Sequence, residues 1–155
     1  MKRNSQNTGN IVLDICDNLE NCAGTPDTRH KLERTDFNVV RVTCETEDGI
    51  YGDWGTGTVI GPNKILTAAH VANIGRYHQQ PLIVYAGEHG VGSVPKKYTV
   101  SSIKIHPSYR FSPGHPKHDL AVLTTNETFT QYKPFSRAPK PLDNTRLIWT
   151  GYPSD

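Results

Sequence analysis

Apolar residues in this chain fall in short clusters, and none recurs with the 3.6-residue period of an amphipathic helix. The clusters occupy segments 39–44, 55–60, 64–67, 82–86, 98–106 and 120–124, with a last one over 147–152. Turn chemistry separates them: Gly61-Pro62-Asn63, Gly87-Glu88-His89-Gly90 and Ser112-Pro113-Gly114. Many short strands with turn signals between them predict an all-β fold, an antiparallel sandwich or barrel. The two ends differ. Roughly the first 35 residues are polar with little strand pattern, and their one apolar patch, Ile11-Val12-Leu13, is broken at once by Asp14. Residues 1–24 read as a leader or flexible arm. Residues 132–144 are polar and carry Pro134, Pro139 and Pro141, the pattern of a linker between two bodies. No internal repeat is present.

Composition narrows the class. The 155 residues are 35% apolar and 21% charged, enough for one globular domain with a core and unlike a disordered chain. No apolar run reaches about 18 residues, so no membrane span is expected. A net charge of +2 without a dense Lys/Arg run gives no reason to expect a nucleic-acid partner. Met1-Lys2-Arg3 is a basic start, but the apolar stretch of about 7–15 residues that a secretory signal needs does not follow. The cysteines are Cys16, Cys22 and Cys44. Three pairings are conceivable, one residue stays unpaired in any of them, and the spacing is not that of a zinc site.

The segment Gly55-Thr56-Gly57-Thr58-Val59-Ile60-Gly61-Pro62-Asn63-Lys64-Ile65-Leu66-Thr67-Ala68-Ala69-His70 reads as a hairpin. Two apolar strands flank a Gly-Pro-Asn turn, and the second ends in small residues and a histidine. Ala68 and Ala69 allow close backbone packing, so a rigid strand end would hold the imidazole. That placement suits a general base, which needs a near-neutral pKa and fixed geometry. Thr67-Ala68-Ala69-His70 resembles the histidine motif of the chymotrypsin/trypsin superfamily. The preceding G-T-G-T-V-I-G-P stretch resembles the glutamyl endopeptidase branch, which includes the staphylococcal V8-type proteases.

His118-Asp119-Leu120-Ala121-Val122-Leu123 is the second signal. By itself, a charge before a strand is a solvated turn residue. In the family it resembles, D-[IL]-A-[VL]-[LIV] is the aspartate motif, whose carboxylate orients the histidine and stabilises its imidazolium. His70 and Asp119 lie 49 residues apart, in the order His then Asp that chymotrypsin-like enzymes share and subtilisin-like enzymes do not. Two shorter segments agree. Asp27-Thr28-Arg29-His30-Lys31-Leu32 resembles the segment near the mature N-terminus of glutamyl endopeptidases. Thr150-Gly151-Tyr152-Pro153-Ser154-Asp155 resembles their T-G-Y-P-G-D segment, a strand of the second barrel. Val71 and Ala72 stand where many relatives carry a bridged cysteine, and the V8-type branch also lacks that bridge.

The nucleophile motif G-[DN]-S-G, which also forms the oxyanion hole, is not in the sequence. The eight serines are Ser5, Ser93, Ser101, Ser102, Ser108, Ser112, Ser136 and Ser154, and none sits in such a motif. His115 and His118 are two imidazoles three residues apart. Pro116 disfavours a helix there and no third ligand adjoins, so no metal is expected. Asn126-Glu127-Thr128 is a glycosylation sequon, meaningful only in a eukaryotic secretory route. Trp54, Tyr109, Tyr132 and Trp149 read as core or barrel-edge aromatics.

Together these imply an all-β, chymotrypsin-like antiparallel barrel. Residues 1–35 would be a leader and N-terminal arm, 36–130 a complete first six-stranded barrel, and 131–155 a crossover and the opening strand of a truncated second barrel with unpaired edges. The function implied is a serine endopeptidase of glutamyl type, with His70 and Asp119 as its catalytic residues. It would need no cofactor or metal, act on protein or peptide substrates as an extracellular monomer, and have no nucleic-acid or membrane partner. These 155 residues alone would be inactive. The alternative is a non-catalytic product, a truncated protease or pseudoprotease serving as a binding module.

Overall fold

The computed structural model describes residues 12–16, 30–31, 38–45, 51–87, 94–112, 115–133 and 147–152. In chain order the elements are β1 (Val12–Cys16), β2 (His30–Lys31), β3 (Val39–Glu45), β4 (Tyr51–Gly61), β5 (Lys64–Thr67), α1 (Ala69–Ala72), α2 (Ile74–His78), β6 (Leu82–Ala86), β7 (Lys96–Ile105), β8 (Ala121–Thr125) and β9 (Leu147–Gly151). Strands β3 to β8 close into an antiparallel barrel in the order β3-β4-β5-β8-β7-β6. Closure leaves these six strands without a free edge.

The period-2 pattern sets the inside of the barrel. In β3, Val40, Val42 and Cys44 are fully buried in the core, and β5 and β8 contribute Ile65 and Leu123 in the same way. The other face of β3 is buried too. Arg41 places its guanidinium 5.0 Å from the centre of the Tyr85 ring, and the Thr43 hydroxyl donates to the Asp53 carbonyl at 2.9 Å. All five residues of β6 are buried, which accounts for its unbroken apolar run Leu-Ile-Val-Tyr-Ala. Pro62 and Asn63 make the β4–β5 turn, with Gly61 opposite Lys64. The Asn63 carbonyl accepts from Thr125 N–H and the Pro62 carbonyl from Phe129 N–H, tying the turn to the end of β8.

Two glycines of the hairpin have a steric reason. A Cβ at Gly57 would lie 2.6 Å from Ile65 Cγ2, and one at Gly55 would lie 2.5 Å from Val71 Cγ2. At both positions the β4 backbone therefore approaches its neighbour closer than any side chain allows.

The sequence reading is corrected at both ends. It found little strand pattern before residue 36, but Val12–Cys16 and His30–Lys31 are paired antiparallel. It also expected the opening strand near Leu147 to have unpaired edges. One of those edges is paired: β9 runs antiparallel to β1 over five residues, from Val12 opposite Gly151 to Cys16 opposite Leu147, at the end of a sheet ordered β2-β1-β9, and among the described residues its other edge has no strand partner. Asp14 does not end β1, because a ladder is made by backbone groups and needs a partner strand rather than an apolar side chain at every position. The Tyr152 N–H donates to Thr56 Oγ1 at 2.8 Å, joining β9 to β4. The remainder of 1–35 and the linker at 134–146 lie outside the described residues.

Candidate active site

Strand β5 ends at Thr67, whose hydroxyl donates to the Thr56 carbonyl at 2.9 Å. Ala68 is extended (φ −77°, ψ 148°), and the chain then turns into α1. His70 is therefore the second residue of a short helix, not the end of a strand as the sequence reading had it. Helix-compatible alanines at 69 and 72 permit the turn, and four residues are too few to show a helical stripe. The Ala72 N–H donates to the Ala68 carbonyl and the Asn73 N–H to that of Ala69, at 3.0 and 3.1 Å.

Asp119 comes from the neighbouring strand's approach, two residues before β8, which pairs with β5. It grips His70 twice: Oδ1 accepts the His70 backbone N–H at 2.9 Å, and Oδ2 lies 2.5 Å from the ring Nδ1. A carboxylate only accepts, so Nδ1 carries the hydrogen, and in the neutral ring Nε2 is then the nitrogen with the lone pair. The Asp119 side chain is 18% exposed and that of His70 is 56% exposed, so the ring is open to solvent while its anchor is mostly covered. Burial tends to raise the Asp119 carboxyl. The His70 N–H, the His70 imidazole and the Ala69 N–H together outweigh it and hold the group below its ordinary 3.8.

Those contacts also finish the helix. Ala68, in the N-cap position, supplies no side-chain hydrogen bond, and the first N–H groups of a helix have no partner within it. Asp119 accepts from one of them, at His70, and so caps α1 from 49 residues away. The carboxylate that orients the imidazole also starts the helix that carries it.

The other residues singled out from sequence take varied places. Tyr109 and Tyr132 pack against the core, and Trp54 packs on Val39 and Tyr152. The Tyr109 phenol is pushed up by burial and, after it, by the charges of Asp119 and Tyr77. Cys44 is a free, buried thiol. The side chains of Cys16, Cys22 and Trp149 lie outside the described residues. His118 stacks on His106, and no cluster of three or more His, Cys, Asp or Glu residues gathers among the described residues. Sequence reasoning missed His106, which leaves no motif to find, and the packing of Val71 on Gly55, which the G-x-G spacing hints at.

The Trypsin family model matches residues 30–154. The chain belongs to the trypsin-like serine protease family. It is 37% identical over 105 residues to a venom serine protease of Polistes dominula, an alignment covering 64% of this chain and 35% of that protein. A solved structure titled "Structure of GrC" superposes with a TM-score of 0.51 at 15% identity, over 69% of this chain and 48% of that one. At that identity the likeness concerns the fold alone. The chain spans about a third of the length of the curated relative and about half that of the solved structure.

Proposed function

We propose that this trypsin-family chain carries the general base, His70, and its orienting carboxylate, Asp119, of a serine endopeptidase. The double grip of Asp119 on His70 is the observation that carries this reading. With Nδ1–H held by the carboxylate, Nε2 is the atom able to take a proton from an attacking hydroxyl. As that oxygen bonds to the scissile carbonyl carbon, the proton moves to Nε2. It then passes to the leaving amine as the C–N bond breaks, and a water molecule repeats the cycle to release the acyl group. Asp119 keeps the ring in the useful tautomer and stabilises the imidazolium. The hydroxyl comes from a serine outside these 155 residues, since none of the eight present is in a nucleophile motif.

Preference for cleavage after acidic residues is the finer proposal, supported by the resemblance of segments 55–70 and 150–153 to glutamyl endopeptidases. Secretion is supported by the venom origin of the relative. The domain plan proposed is an N-terminal arm over 1–35, a first barrel over 36–130, and a crossover with the start of a second barrel over 131–155.

Fluorophosphonate labelling and hydrolysis of chromogenic Glu- and Arg-containing peptides test the reading. The 155-residue chain should give neither. The product that includes a downstream G-[DN]-S-G should give both, and Asp119→Asn should lower its kcat by roughly 10⁴. Serine-specific labelling of the 155-residue chain would sink the placement of the nucleophile. The alternative reading is a non-catalytic binding module. A stop codon directly after codon 155 would favour that module.

A further inference from the structure

Asp119 sits in a turn of unusual form. The Leu120 N–H donates to the His118 carbonyl at 2.8 Å, closing a three-residue turn with Asp119 at its centre. His118 enters that turn at φ 53°, in the left-handed region that costs a non-glycine residue on the order of 1–2 kcal/mol. Histidine is among the residue types that tolerate it best. Something must hold the turn, and His106 touches it on both sides. Its N–H donates to the Leu120 carbonyl at 2.9 Å, just past the β7–β8 pair Ile105 and Ala121. Its ring stacks on the His118 ring, with centroids 4.8 Å apart and planes 12° from parallel.

We propose that His106 is the positioning residue for Asp119: its backbone and ring grip the residues on either side and so fix where the carboxylate meets His70. This rests on the reading of His70 and Asp119 as base and orienting group. The His106 ring is itself fixed, because its Nδ1 accepts the Ser108 N–H at 3.1 Å. That bond requires a lone pair on Nδ1 and sets the tautomer and the plane of the ring. Among the described residues the exposed His118 side chain makes no hydrogen bond, so the stack is what restrains it. Orienting groups must be held to within about 0.5 Å, and a displacement of about 1 Å can cost 10²-fold in rate. A turn left to its strained backbone alone would not hold that tolerance.

The test is NMR on the 155-residue chain, reading the deshielded His70 Nδ1 proton and the titration of the Asp119 carboxyl carbon. The parent should show the proton and an Asp119 titration below the ordinary carboxylate range. His106→Ala should lose the proton signal and move the titration upward, with the barrel amide pattern retained. His118→Gly keeps the left-handed backbone and removes the stack, so it should do the same, and His106→Phe should restore both. The double variant should be no worse than either single one, as expected for two halves of one contact. If His106→Ala does not fold, His118→Gly and His106→Phe decide the matter. Parent-like signals in the stack-less variants overturn the positioning role and leave the base assignment standing. Absence of the signals in the parent overturns both.

Discussion

Asp119→Ala should destabilise the chain more than His70→Ala does, although His70 is the residue whose ring Asp119 holds. The carboxylate accepts the His70 backbone N–H at the start of α1 as well as holding the imidazole. Losing a helix cap costs about 0.5–2 kcal/mol, and a hydrogen bond to a charged group about 1.5–3. Solvent reaches the His70 ring, 56% exposed, so the ring contact itself counts for little. The cap and the charge-assisted hydrogen bond are one contact, so Asp119→Ala should cost about 2 kcal/mol, whereas His70→Ala keeps the backbone N–H and should cost under about 1 kcal/mol. In thermal melts that is a fall of about 4–8 °C for Asp119→Ala at this chain length. The difference should also depend on pH in a defined direction. The folded carboxyl is held below its ordinary 3.8, so its stabilisation is fully present above that value. It is lost as pH falls through the lower, folded pKa. Parent and Asp119→Ala stabilities should therefore converge below about pH 4 and stay apart near neutrality. If the two variants melt together at pH 7, or if their gap is unchanged in acid, the carboxylate does not cap α1.

Three other outcomes are expected. Gly55→Ala and Gly57→Ala put a Cβ within 2.5 Å of Val71 and 2.6 Å of Ile65, so each should lose about 1–3 kcal/mol in urea unfolding. Gly55→Ala should in addition disturb the His70 Nδ1 proton, because Val71 follows the base directly. Leu123→Ala empties a fully buried site in the barrel and should cost about 2–5 kcal/mol by the same assay. Cys44 is fully buried, and burial first and the Asp53 charge second push its thiol up; in a Cys16→Ser/Cys22→Ser chain it should ignore a thiol reagent until denaturant is added.

Much of the barrel was legible because strands write themselves in period 2. Lys64–Thr67 and Leu82–Ala86 fall where the apolar pattern ends on each side, and the turn at Pro62 and Asn63 follows from its residue types. Strand β7 begins two residues earlier than its apolar pattern, since Lys96 and Lys97 join the ladder while their side chains stay in solvent. Strand β1 was illegible for a stronger reason: its partner β9 lies more than 130 residues away, and pairing at that distance leaves no local trace. His70 and Asp119 were legible through their flanking motifs. Their carriers were not, since a helix as short as α1 has no period to detect.

The contacts that hold His70 and Asp119 together explain how the pair proposed as half of a catalytic site can be built without the other half. Gly55 makes room for Val71, Thr67 fixes the end of β5 on Thr56, and Asp119 caps α1. Leu120, on the far side of Asp119, is tied to His106 at the end of β7. Every one of these residues belongs to the barrel strands or the turns between them. Orientation of the His70 ring is thus a consequence of barrel closure, which brings β5 and β8 side by side with Thr67 opposite Ala121. On the proposed function, a nucleophile arriving from another part of the protein would meet a base already oriented. The cost of ordering that base falls on folding rather than on the chemical step.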